Sequence, residues 1–124
     1  MSEEGDRLLH ILRETLISEF RSNQPDLTLR QLAVSLQIYL TDEPQTVRGL
    51  ASYLTVNKSS ISRVLKRLGE IDLAYREVDP RDSRSIVVHQ TAQGAAIVKR
   101  LGMAMAEAAY EERAKRVISG EGSC

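Results

Sequence analysis

Cysteine is almost missing from this chain of 124 residues: the single one, Cys124, occupies the last position. No disulfide can close within the chain. Cys124, His10 and His89 offer no cluster at metal-ligand spacing, so neither a metal nor any other cofactor is expected. Tryptophan is absent and aromatic residues make up 4% of the chain, with one Phe, so the core must be aliphatic. Charge of one sign is not in excess either, since the formal net charge is zero. That excludes coating of a polyanion by bulk charge but allows one basic face. No apolar run nears the roughly 20 residues needed to cross a bilayer. The N-terminus lacks the basic and apolar regions of a signal peptide, and a cytoplasmic location without membrane contact is expected. A glycine-rich phosphate loop and a nucleophile motif are lacking too, so no enzyme is expected.

What is present is a foldable balance: 42% hydrophobic and 27% charged residues, enough for a single domain over 1–124. Leu8, Ile11, Leu12, Thr15, Leu16 and Phe20 recur at spacings of three and four, which predicts a helix over 6–22, ended by Pro25. Thr28 with Gln31 forms a capping-box pattern, followed by a stripe of Leu29, Leu32, Ala33, Leu36 and Leu40 expected to be buried. A short helix is expected over 46–54. After the turn Thr55-Val56-Asn57, a helix capped by Asn57 should run from Lys58 to a stop at Gly69. Leu73 to Val78 and Ser85 to Gln90 suit two strands joined by a turn over 79–83. Thr91 should cap a last helix over 92–118, with 119–124 a flexible tail. The expected fold class is mainly α with a small β-hairpin, an α+β arrangement.

The third and fourth helices carry the chemistry. Leu50, Ala51, Leu54, Val56, Ile61, Leu65 and Leu68 form the interlocking skeleton of a helix-turn-helix, with Ala51 small enough for close approach. The outward positions are Asn57, Lys58, Ser59, Ser60, Ser62, Arg63, Lys66 and Arg67. Small serines let a helix sit deep in a major groove. Arg63 can contact guanine bidentately, and Lys66 and Arg67 suit backbone phosphates. A face with four cations and no acid is more than an ordinary solvated surface.

The hairpin gives this pattern a family likeness. Asp79-Pro80-Arg81-Asp82-Ser83-Arg84, then Ser85-Ile86-Val87-Val88 and Thr91-Ala92-Gln93-Gly94, resembles the wing of the MarR family. Thr46-Val47-Arg48-Gly49-Leu50-Ala51, Ser59-Ser60-Ile61-Ser62-Arg63 and Leu68-Gly69-Glu70-Ile71-Asp72-Leu73 resemble it as well. The likeness implies a winged helix-turn-helix with a DNA-binding lobe over 27–94. It also implies a homodimer joined by the helices over 6–22 and 92–118, and double-stranded DNA as partner. Arg63 would read bases and Arg84 would enter the minor groove, where narrow A·T-rich segments attract arginine. Arg81 is a second candidate for DNA contact, and Asp79 and Asp82 would stabilise the wing.

The last helix, rich in alanine and 27 residues long, is too long to bury its apolar face against so small a domain, which also points to a partner copy. The implied activity is transcriptional regulation, as a repressor of an inverted-repeat operator. Many family members respond to a small-molecule effector. Here the short N-terminal segment leaves little room for a large pocket, and core packing is the expected role of Leu12, Leu16 and Tyr39. The alternative is a winged-helix module that binds protein instead of DNA.

Overall fold

Short polar side chains mark where the helices of this chain begin. In the computed structural model, which describes residues 2–118, the Ser2 hydroxyl accepts from the Gly5 N–H at 2.9 Å and opens α1 (Glu3–Arg21). The helix therefore starts before the expected Asp6, with Glu3, Glu4 and Asp6 set against the positive end of its dipole. Arg7 lies 2.6 Å from Glu4 and holds that carboxyl below its usual range. The expected tail over 119–124, with Cys124, lies outside the described residues.

The Thr28 and Gln31 capping box forms in full and opens α2 (Leu29–Leu40). The face it buries differs from the expected one. Val34, Ser35 and Ile38 are buried, whereas Leu29 and Leu40 stand largely exposed. Both faces of this helix are apolar, so periodicity could not decide between them.

A strand that has no local pattern, β1 (Gln45–Thr46), comes next, followed by α3 (Val47–Leu54) and α4 (Lys58–Glu70). Gly69 does not stop α4. The helix passes through it and closes beyond, where Asp72 takes a left-handed conformation at φ 58°. The Leu73 N–H then bonds the Leu68 carbonyl at 2.8 Å, and the Asp72 N–H bonds that of Gly69. This is a Schellman closure with aspartate in the usual glycine position.

The wing is β2 (Ala74–Asp79) and β3 (Asp82–Gln90). β3 starts at Asp82 rather than the expected Ser85, because Asp79 pairs with Asp82 across a connection of only Pro80 and Arg81. The sheet order is β1-β3-β2, all antiparallel. The last helix, α5 (Ala92–Ile118), opens with the Thr91 hydroxyl accepting from the Gly94 N–H at 2.9 Å.

The chain divides into two compact units, 27–98 and the pair of terminal segments 1–26 and 99–124. The first has an aliphatic core of Val34, Ile38, Val47, Leu50, Ile61, Leu65, Leu68, Leu73 and Val88, with Ile97 packed against it. Each such side chain contributes about 1.5–3 kcal/mol by leaving water. In the second unit Ile11, Thr15 and Ala108 are buried. Arg100 pairs with Glu19 at 2.9 Å. Core packing fails as an account of Leu12 and Leu16, which remain about half exposed along with Leu8 and Leu9. Phe20, Met103 and Tyr110 are more open still. Among the described residues, no helix is long and apolar enough to cross a membrane.

Candidate nucleic-acid interface

The geometry of the α3–α4 pair rests on two caps and one strained residue. Thr46 Oγ1 accepts from the Gly49 N–H at 2.9 Å and fixes the start of α3. At its end, Thr55 adopts φ 57° and ψ 47°, so that the Val56 N–H reaches back to the Ala51 carbonyl at 3.0 Å. A β-branched residue is seldom held there, because its branched Cβ crowds the backbone. The reversal that Thr55 makes lets Leu50, Ala51 and Ile61 meet in the core.

Asn57 then opens α4. Its Oδ1 accepts from the Ser60 N–H at 2.8 Å and from the Ser59 hydroxyl at 2.7 Å. The Asn57 oxygen is thus engaged, and its amide NH2 is the part left for a ligand. Ile61, Val64, Leu65 and Leu68 turn inward, which forces Lys58, Ser59, Arg63 and Lys66 outward. Ser60, Ser62 and Arg67 lie at the margins of that face. Arg63 Nη2 sits 3.4 Å from Ser60 Oγ, a long contact that leaves the guanidinium disposable. Arg67 stands 3.7 Å from Glu70, an exposed pair of small energetic weight.

The wing is shaped by its own carboxylates. Asp79 Oδ1 accepts from the Arg81 N–H at 2.8 Å, and Asp82 Oδ1 accepts from the Arg84 N–H at 3.0 Å. Asp82 also lies 3.6 Å from Arg84 Nε, while the Arg84 side chain remains 89% exposed. Arg81 is exposed at the tip. At the wing root, Tyr75 stacks on His89 with centroids 4.8 Å apart. His89 Nε2 is 3.3 Å from Glu77 Oε1 but not aligned as a hydrogen bond.

A cleft of about 250 Å³ opens between the start of α3, the first turns of α4 and β3. It brings Lys58, Ser62, Asp82 and Arg84 together, and adds Arg48, to which the sequence pattern gave no role. Arg48 was not recognisable as part of this surface because only the pairing of β1 with β3 carries the start of α3 to the wing. Lys66, Arg67 and Arg81 do not line the cleft. The surface as a whole presents arginine and lysine from two helices and a hairpin, suited to a regularly spaced polyanion.

Residues 27–86, which contain this entire surface, match the family model described as the MarR family. This chain belongs to the MarR family. Solved MarR-like structures match it over nearly its whole length. A cysteine-to-serine mutant of MarR from E. coli aligns with TM-score 0.64 and 24% identity, over 94% of this chain and 85% of that one. The transcriptional regulator Tm0710 from Thermotoga maritima aligns with TM-score 0.67 and 18% identity, over 98% and 92%. The PcaV transcriptional regulator from Streptomyces coelicolor, solved in complex with its natural ligand, aligns with TM-score 0.59 and 24% identity, over 91% and 74%. At these identities the likeness establishes the winged helix fold. No curated protein sequence matches the chain. Within the MarR fold, α3 and α4 are the helix-turn-helix and β2–β3 is the wing.

Proposed function

We infer that the chain is a sequence-specific regulator of transcription that binds double-stranded DNA as a homodimer, most simply as a repressor of an inverted-repeat operator. The observation that carries this reading is the outward face of α4, where Lys58, Arg63 and Lys66 stand exposed beside small serines, continuous with the arginine-bearing wing. The E. coli MarR mutant solved with operator DNA, which aligns with TM-score 0.64 and 22% identity over 88% of this chain and 72% of that one, supports the same use of this fold.

In this reading α4 enters the major groove. Arg63 reads a base edge there, and Ser59, Ser60 and Ser62 allow the close approach. The amide of Asn57 and the charges of Lys58, Lys66 and Arg67 hold backbone phosphates. Arg84 enters the flanking minor groove, with Arg81 beside it at the wing tip. Asp79 and Asp82 act on the wing itself, through the backbone bonds that set its turn. The exposed apolar side chains of α1 and α5 join two copies, so that two α4 helices face half-sites about one helical turn apart. The complex of PcaV with its ligand supports a small-molecule effector for this chain too. The reading assigns no catalysis to the protein and places it in the cytoplasm, where its DNA is.

Selection of genomic fragments on the protein, followed by sequencing, tests this. An inverted repeat should emerge. Arg63→Ala should relax preference at one position of each half-site by about 1–3 kcal/mol. Arg84→Ala should weaken binding most where the flank is A·T-rich. Recovery of fragments without a shared motif would contradict the reading.

A further inference from the structure

The duplex itself constrains what must occupy the cleft. If α4 lies in a major groove and the wing in the adjoining minor groove, the sugar–phosphate strand dividing those grooves has to pass between α4 and β3. The cleft lies there, and three cations from three elements line it: Arg48 of α3, Lys58 of α4 and Arg84 of β3. The one carboxylate among them, Asp82, is already engaged by the Arg84 N–H and lies close to Arg84 Nε. Arg48 is exposed, and neither it nor Lys58 has an acidic partner among the described residues. A guanidinium in that position can grip a phosphate with two parallel N–H bonds.

We propose that this cleft seats a backbone phosphate of the strand between the two grooves, and that Arg48 is its principal ligand, with Lys58 beside it. The inference rests on the DNA-binding reading above. Two arginines then play different parts. Arg63 discriminates sequence, whereas Arg48 supplies affinity without regard to sequence and fixes the angle between α4 and the wing.

Fluorescence-anisotropy titrations on the selected duplex and on a scrambled duplex of equal length, each at several salt concentrations, put this to the test. The unaltered protein, Arg48→Ala, Arg48→Lys and Arg63→Ala are compared. Arg48→Ala should weaken binding to both duplexes by a similar factor, about tenfold. The slope of log affinity against log salt should become shallower by about 0.9, the value of one lost phosphate contact. Arg48→Lys, which keeps the charge, should keep the slope. An unchanged slope in Arg48→Ala, while Arg63→Ala still relaxes base preference, overturns the role of Arg48 and leaves the functional reading standing. A loss confined to one base position overturns it as well, because that marks a base reader. Absence of DNA binding by the unaltered protein overturns both.

Discussion

The tightest single constraint in the lobe is set by Gly94 and the Tyr39 hydroxyl. Tyr39 donates to the Leu73 carbonyl at 2.7 Å and accepts from the Thr91 N–H at 2.9 Å, so one side chain of α2 ties the start of the wing to the start of α5. A Cβ on Gly94 would fall 1.9 Å from that hydroxyl and 2.5 Å from the Leu73 carbonyl, which is backbone and cannot swing aside. Gly94→Ala should therefore cost about 3 kcal/mol, read as a lowered midpoint in urea unfolding. Tyr39→Phe should cost about 1–3 kcal/mol, because it strips the Thr91 N–H and the Leu73 carbonyl of their partner. Thr55 offers the opposite case. Its left-handed backbone is costly for a β-branched residue, and asparagine tolerates that region better. Thr55→Asn should raise stability by up to about 1 kcal/mol. A lowered melting temperature would show that the threonine side chain contributes something the turn geometry does not reveal.

Elements differ in how far their residues announced them. The caps could be read directly, because Thr28 with Gln31, Thr46 and Asn57 act on N–H groups three residues away, and local chemistry decides the outcome. The helix-turn-helix skeleton was equally legible, since its apolar positions are those that fill the core. The rest depended on partners distant in sequence. β1 is two residues long and exists only by pairing Gln45 with Val88 and Thr46 with Val87. The early start of β3 at Asp82 follows from pairing with Asp79 across Pro80 and Arg81, where turn composition alone suggested a longer loop. α4 outlasts Gly69 because Asp72 can take the left-handed position instead. The place of Arg48 at the cleft follows from β1, and was hidden with it. At this scale the wing turn makes its own prediction. Asp79→Ala removes the acceptor for the Arg81 N–H and should loosen the tip, seen as faster amide exchange at Arg81 with little change in global stability.

For the molecule as a whole, a net charge of zero and a DNA-binding role are compatible because the charge is segregated: the segment 57–68 carries Lys58, Arg63, Lys66 and Arg67 without an acid. Association should then depend steeply on salt although the protein has no excess charge. The uncovered apolar side chains of α1 and α5 call for a second copy. Light scattering should give twice the chain mass of 13.9 kDa. Leu12→Glu, which sets a charge among Leu8, Leu9 and Leu16, should reduce that to one chain and lose operator affinity with it. Whether this MarR-family chain reads DNA sequence through α4 is decided by one titration. Unaltered protein and Arg63→Ala are compared by fluorescence anisotropy on the selected duplex and its scrambled counterpart at fixed salt. The unaltered protein should bind the selected duplex tightly and the scrambled one weakly, and the variant should bind both with nearly equal affinity. Equal affinity of the unaltered protein for both duplexes, or a variant that discriminates as well as the unaltered protein, would mean that α4 does not read the sequence.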